Sequence, residues 1–304
     1  MFPIIPANSA AESGNDEGIF GFGWTGGAAS NLIDETNLVS NTGVISSDVV
    51  GVGSNRQQLA ACEYGGDKGI FGFGYLTAAY TAITNLVTNA GVVGSDQAEV
   101  GTARSDVAAC SFGGDKGIFG FGYEDSPRTA VTNLVSNAGV VASDTAGVGT
   151  IRSSLAACEY GDDKAIFGYG HTGSVTAVTN LVSNTGVVAS DQAAVTGTAR
   201  SACAACSYGD DKGIFGYGVD YPTYQSITNL VSNSGVVSSD VAGVGTDRGW
   251  IAATQFGGDE GIFAYGWTGS AQSMSNLVSN TGVVASDVAG VGTSRSHLAA
   301  CSFN

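Results

Sequence analysis

A ten-residue phrase, "GDKGIFGFGY", runs from Gly66 to Tyr75 and again from Gly114 to Tyr123. Near-copies stand at Asn15–Trp24, Asp162–His171, Asp210–Val219 and Gly258–Trp267. The first aromatic of the phrase recurs at Phe20, Phe71, Phe119, Phe167, Phe215 and Phe263, in steps of 51, 48, 48, 48 and 48 residues. One unit of this length cannot bury its apolar face alone. Neighbouring units must share a core, which restricts the chain to a solenoid or a propeller.

Each unit reads as four short strands, A to D. In one copy they are "SSLAACEY" (Ser153–Tyr160), "AIFGYG" (Ala165–Gly170), "TNLVSN" (Thr179–Asn184) and "GVVASD" (Gly186–Asp191). Val, Ile, Phe and Tyr cluster in these segments, and no helical period appears. Gly-Asp-Asp and Asn-Thr-Gly segments mark tight turns between A and B and between C and D. Period two places Phe71 and Phe73 on one face of the sheet and Ile70, Gly72 and Gly74 on the other. Rings of one unit then lie against the glycine-lined face of the next.

Six units of four antiparallel strands predict an all-β, six-bladed propeller. The chain ends predict its closure. The first unit has its second strand at Gly18–Gly23 but no good first strand, whereas Leu298–Phe303 is a first strand with nothing after it. The C-terminal strand, residues 297–303, therefore completes blade 1 as its innermost strand. Residues 1–13 form an N-terminal extension and 14–304 a single propeller with a period of about 48. "NSAAES" (Asn8–Ser13) is a weaker rival for that first strand.

The Arg-x-x-Leu-Ala-Ala strand, the apolar strand ending in glycine and the two shorter strands resemble the Kelch-type propeller, from Gly18 to Phe303. The double glycine of that family is replaced by Gly-aromatic-Gly, and its late Trp is absent. The near-identical units are also similar to glycine-rich repeat proteins of tailed phages of aquatic bacteria. That resemblance implies a virion or host-contact role, within a larger particle or at an extracellular surface.

The net charge of −16 opposes nucleic-acid binding, which needs basic stripes, and opposes docking on an anionic membrane. No apolar run approaches the ~18 residues of a membrane span. The start, "MFPIIPANSAAES", lacks the basic n-region of a secretory signal. Five of six cysteines (Cys62, Cys110, Cys158, Cys206 and Cys301) hold the same place in the unit, where Thr254 stands in the remaining copy. Equivalent positions in successive units do not meet in pairs, so these thiols read as small apolar fillers.

Little in the sequence carries chemistry. His171 and His297 are the only histidines, and neither lies in a ligand or triad spacing. Each unit carries an Asp at the end of strand D (Asp48, Asp96, Asp144, Asp191, Asp240, Asp287) and an Arg shortly after it (Arg56, Arg104, Arg152, Arg200, Arg248, Arg295). Six copies of one pair read as scaffolding, each Arg bonded to a carboxylate or to loop carbonyls. A further acidic series occupies the A–B turns, from Asp16 to Asp259. It reads as solvated, with weak calcium binding the rival. No catalytic residue, metal or cofactor is expected, although paired carboxylates at the axial mouth would support a glycosidase or lyase.

Sequence variation collects in the B–C link and in the D–A link around each arginine. In an antiparallel blade these emerge on one face of the disk, and the near-constant turns emerge on the other. Such a pattern fits a rigid scaffold with one differentiated surface for a protein or glycan partner. The expected binding residues there are Trp24, Trp250, Trp267 and His297, which closure brings into one sector, with Tyr75, Tyr123, His171 and Tyr221 on the same face. The bland rival is that these aromatics only cover the blade tops.

Overall fold

The computed structural model describes residues 16–124, 127–192 and 197–303. Among them there is no helix, and so none long and apolar enough to cross a membrane. The N-terminal extension and "NSAAES" lie outside the described residues.

The strands form six three-stranded antiparallel sheets in a propeller-like arrangement. The first sheet joins the two chain ends: β1 (Glu17–Trp24) lies between β2 (Leu32–Val39) and β18 (Ala299–Phe303). The next two are β3 (Ala60–Tyr64), β4 (Lys68–Gly72), β5 (Thr84–Val87), and β6 (Ala108–Phe112), β7 (Lys116–Tyr123), β8 (Arg128–Val135). The fourth and fifth are β9 (Ala156–Tyr160), β10 (Lys164–Gly168), β11 (Thr179–Val182), and β12 (Ala204–Tyr208), β13 (Lys212–Asp220), β14 (Thr223–Val231). The sixth is β15 (Ala252–Phe256), β16 (Glu260–Trp267), β17 (Ala271–Val278). The first strands contact one another in a closed cycle, β18–β3–β6–β9–β12–β15 and back to β18. The expected D segment is not a continuous strand. It touches the third strand through isolated antiparallel bridges, such as Val39↔Ile45 and Thr36↔Val49.

The glycine-aromatic phrase behaves differently from its simple alternation. Phe22, Phe73, Phe121, Tyr169, Tyr217 and Tyr265 all have left-handed φ values of 60° to 64°. The register of β1 against β2 shifts between Gly21 and Gly23. This bulge turns the second aromatic to the opposite face from the first. Phe20 packs edge-on against Tyr265 of the sixth sheet at 5.3 Å, whereas Phe22 packs on Phe71 of the second at 5.2 Å. The expectation that Phe71 and Phe73 share a face is thus corrected. Each phrase sends one ring to each neighbour, and aromatic pairs run around the assembly. The glycine between them is needed for close approach: a Cβ on Gly72 would stand 2.8 Å from Cζ of Phe119.

The core is divided into inter-sheet layers. One contains Ile19, Phe22, Leu59, Phe71, Val87 and Cys301, from the first two sheets. All six cysteines are free and buried. The thiol of Cys158 sits where a side chain on Gly213 of the next sheet would go, so it fills the space that the glycine leaves.

Candidate binding face

Two residues after each repeated arginine the backbone enters the left-handed region: Gln58 (φ 57°), Asp106 (52°), Ser154 (53°), Ala202 (51°), Trp250 (49°) and His297 (56°). Such a conformation costs an L-residue roughly 1–2 kcal/mol. Here each N–H is aimed at the carbonyl of its counterpart in the preceding unit. Asp106 donates to Gln58, Ser154 to Asp106, Ala202 to Ser154, Trp250 to Ala202, His297 to Trp250 and Gln58 to His297, over 2.8–3.0 Å. Six backbone hydrogen bonds therefore close a circle around one mouth of an axial channel, a narrow central passage lined by the six first strands, Glu159 among them. The backbone makes this ring, so its side chains are free to differ, and all six do.

A second, wider circle surrounds the first. The residue that ends the glycine-aromatic phrase bridges to the residue just after each arginine: Trp24↔Ser296, Gln57↔Tyr75, Ser105↔Tyr123, Ser153↔His171, Ser201↔Val219 and Gly249↔Trp267. This is the position that changes from copy to copy in the repeated phrase.

The scaffold beneath both circles is the arginine series. Arg152 is fully buried. Its Nε donates to the Tyr169 carbonyl (3.0 Å), Nη1 to the Thr150 carbonyl (3.2 Å) and Nη2 to Oδ1 of Asn180 (2.7 Å). Its guanidinium lies 4.2 Å over the ring of Phe121 in the preceding sheet. Burial pushes the Arg152 pKa down to about 10, so the group stays charged at neutral pH. The Asp series joins the same network. Asp191 accepts from the backbone and hydroxyl of Thr150 and from Asn180 Nδ2. Each Asp thus ties its D segment to the loop entering the first strand of the same sheet. Arg248 and Arg295 also come within 3.6 and 3.7 Å of Asp287 and Asp48.

Ring closure places the tryptophans together. Trp24 stacks on Trp267 (5.1 Å between centroids, 24° between planes) and meets His297 edge-on at 5.9 Å. His297 stacks on Trp250 (5.0 Å, 24°), and Tyr224 extends the run at 6.5 Å. All three tryptophans and His297 are half-buried. Burial pushes the His297 pKa down to about 3, so its ring is neutral at physiological pH. Trp24 spends its Nε1–H on the Ala28 carbonyl at 2.9 Å.

The other four expected residues lie elsewhere on the same end. Tyr75 and Tyr123 are joined through Tyr80, at 5.2 and 6.0 Å. His171 and Tyr123 line a cleft of about 390 Å³ with Tyr221 and Trp250. Tyr221 is 82% exposed. The arrangement forms a stacked run centred on His297 and a cleft flanked by tyrosines, and Trp250 belongs to both.

Gln58, Asp106, Ser154, Ala202, Arg128, Tyr80 and Tyr224 lie in the variable B–C and D–A links but were not among the expected binding residues. The signal for the ring is one fully variable column between the repeated Arg and an apolar residue (Leu, Val, Ile or Cys) followed by Ala. At the opposite end, side chains of the A–B turns are engaged with the C–D turns. For example, Asn137 donates to Asp115 and Asn184 to Asp163, at 3.1 and 2.9 Å. Among the described residues, no three His, Cys, Asp or Glu side chains form a metal-sized cluster. No protein-family model matches the chain, and no curated protein matches it in sequence.

Proposed function

We propose that the chain is a six-bladed β-propeller with four strands per blade, closed by its C-terminal innermost strand, and that it is a non-enzymatic binding module. The D segments, held by bridges at both ends, serve as the fourth strands. The partner, glycan or protein, docks on the end that carries the two circles of variable side chains. One observation carries this reading. Six equivalent positions share one strained backbone geometry and one cyclic hydrogen-bond pattern, yet bear Gln, Asp, Ser, Ala, Trp and His. A rigid ring with unlike side chains is what recognition of one particular surface requires. The stacked run beside it supplies rigid aromatic area at low entropic cost.

The test is a glycan array probed with the wild-type chain and two double variants. Trp24→Ala with Trp267→Ala is expected to weaken retention at least tenfold without loss of the folded state. Asp115→Ala with Asp163→Ala, at the far end, is expected to leave it unchanged. Retention that survives the first pair and fails with the second would move the site and overturn the reading.

A further inference from the structure

The chain has eleven Lys and Arg residues. Six are the buried arginines of the repeated series, and four are the lysines of the A–B turns. Arg128 is the one that belongs to neither. It opens β8, opposite Tyr123 in the pairing of β7 with β8, and lines the 390 Å³ cleft with Tyr123, His171, Tyr221, Trp250 and Asp106.

The guanidinium is held in a fixed orientation. Its Nε donates to Ser153 Oγ at 3.2 Å and its Nη2 to His171 Nδ1 at 2.7 Å. Arginine only donates, so His171 accepts at Nδ1 and carries its proton on Nε2. Burial, then the Arg128 charge, lowers the His171 pKa, in keeping with a neutral ring. The Tyr123 ring lies 5.9 Å from the guanidinium carbon. Both Nη1 hydrogens and one Nη2 hydrogen have no partner among the described residues. Arg128 is in no ion pair among them. The cleft therefore offers a planar, oriented donor pair.

The remaining walls supply an acceptor and exposed ring area. Asp106 accepts from Ser154 Oγ and Gln58 Nε2, both at 3.1 Å, and from Ser105 Oγ at 3.4 Å, and its carboxylate keeps acceptor capacity for a ligand hydroxyl. Tyr221 and Trp250 present ring area on which the C–H face of a pyranose can lie. A bare anion would use the guanidinium alone and leave the carboxylate facing it. A neutral sugar would leave the guanidinium hydrogens unmatched. A saccharide bearing a carboxylate uses every wall.

We propose that this cleft binds an acidic sugar residue, a uronic or sialic acid, with its carboxylate on Arg128, its hydroxyls on Asp106 and its apolar face on Tyr221 and Trp250. This deepens the proposed binding function and rests on it for the choice of face. The net charge of −16 opposes an anion at long range, but at physiological salt charges beyond ~8 Å are largely screened. The fork of Arg128 decides the local interaction.

The test is titration of the intact chain with D-galacturonate, N-acetylneuraminate and galactose, read by tryptophan fluorescence and calorimetry. At least one acidic sugar is expected to bind, with galactose about tenfold weaker or more, the loss expected for a charge-assisted hydrogen-bond pair. Arg128→Ala should abolish that preference. Arg128→Lys, which keeps the charge and loses the fork, should restore it only in part. Thermal melts of both variants report that they fold. Equal binding of galactose, indifference to Arg128→Ala, or displacement by acetate at equal concentration would overturn the proposal. So would a peptide carboxylate binding in place of the sugars. If no acidic sugar binds but array retention still depends on Trp24 and Trp267, this inference falls and the binding module stands. If retention is indifferent to both sites, both readings fall.

Discussion

Asp48 accepts hydrogen bonds from the backbone N–H and the hydroxyl of Thr293, a residue 245 positions later, at 2.9 and 2.7 Å. Asn37 Nδ2 also donates to Asp48 at 2.9 Å, and Arg295 Nη2 donates to Asn37 Oδ1 at 2.6 Å. The same Asp-to-loop contact occurs within other sheets between residues 41 or 42 apart, such as Thr150 with Asp191 and Thr102 with Asp144. At Asp48 it spans the seam between the chain ends. The seam thus repeats the Asp–Thr–Asn contacts of the other units, but Arg295 Nε finds no hydrogen-bond partner among the described residues, where the other five arginines donate Nε to a carbonyl.

Asp48→Ala should therefore cost about as much as Asp144→Ala in the continuous third sheet. Each removes a partner from two or three donors, about 1–3 kcal/mol. Deleting Leu298–Asn304 should do much more, because it takes β18 from the first sheet and breaks the cycle of first strands. Calorimetry would show two small, similar shifts of the midpoint for the point variants and loss of the cooperative transition for the deletion. An unchanged midpoint after the deletion would show that β18 does not close the structure.

Arg152→Lys should be far from conservative. The lysine cannot reach the Tyr169 carbonyl, the Thr150 carbonyl and Asn180 together, and it lacks the flat face that lies over Phe121. Buried acceptors left without donors cost about 1–3 kcal/mol each. Denaturant unfolding is expected to show a loss of at least ~2 kcal/mol. Lys116→Arg, on the exposed A–B turn, should change stability by less than about 0.5 kcal/mol. Equal effects from the two would remove the arginine network from its structural role.

Most of this frame is legible in the sequence. The repeat spacing gave six units, and the split first unit gave the pairing of β18 with β1. What could not be read was local. The bulge that sends Phe22 and Phe20 to opposite faces depends on a left-handed φ at an aromatic residue, which composition does not advertise. Asn37, Asn85 and their counterparts looked like ordinary residues of a Thr-Asn-Leu-Val strand. They are fully buried, and in five of the six sheets they link the arginine to the aspartate; in the fifth, Asn229 bonds to Asp240 but not to Arg200. The meeting of Trp24, Trp267, His297 and Trp250 followed from closure, which orders the units. The cleft around Arg128 did not, because it joins loops of several units whose shapes are set by side-chain contacts.

The thiols give a kinetic prediction. All six are buried and free, and burial raises each thiol pKa, so the reactive thiolate is scarce and shielded. A chromogenic disulfide reagent should titrate close to no thiol in the native chain within minutes and all six in denaturant. Rapid native reaction of the Cys62 series would place those side chains on accessible surface and contradict their role as fillers.

The pH dependence of stability follows from two groups of carboxylates with opposite shifts. In the Asp48 series burial pushes the pKa up, but hydrogen bonds from Thr293 and Asn37, with the Arg295 charge, outweigh it and hold the carboxyl below its usual value. Asp96, Asp144, Asp191, Asp240 and Asp287 are lowered in the same way. Their stabilisation is present above the unfolded value near 3.9 and is lost as pH falls through the folded values. Glu159, in the axial channel, and Asp106, in the mouth ring, go the other way: burial raises them to about 7 and about 6. For them the folded state holds the proton more tightly. Stability therefore falls as pH rises from ~4 towards 7 and levels off above it. The thermal midpoint should peak near pH 4–5, between these two losses. Glu159→Gln should flatten the decline between pH 5 and 8 while leaving the acid limb intact. A midpoint that rises from pH 5 to pH 8 in the wild type, or a decline that Glu159→Gln does not alter, would show that Glu159 ionises in the folded chain as freely as in water.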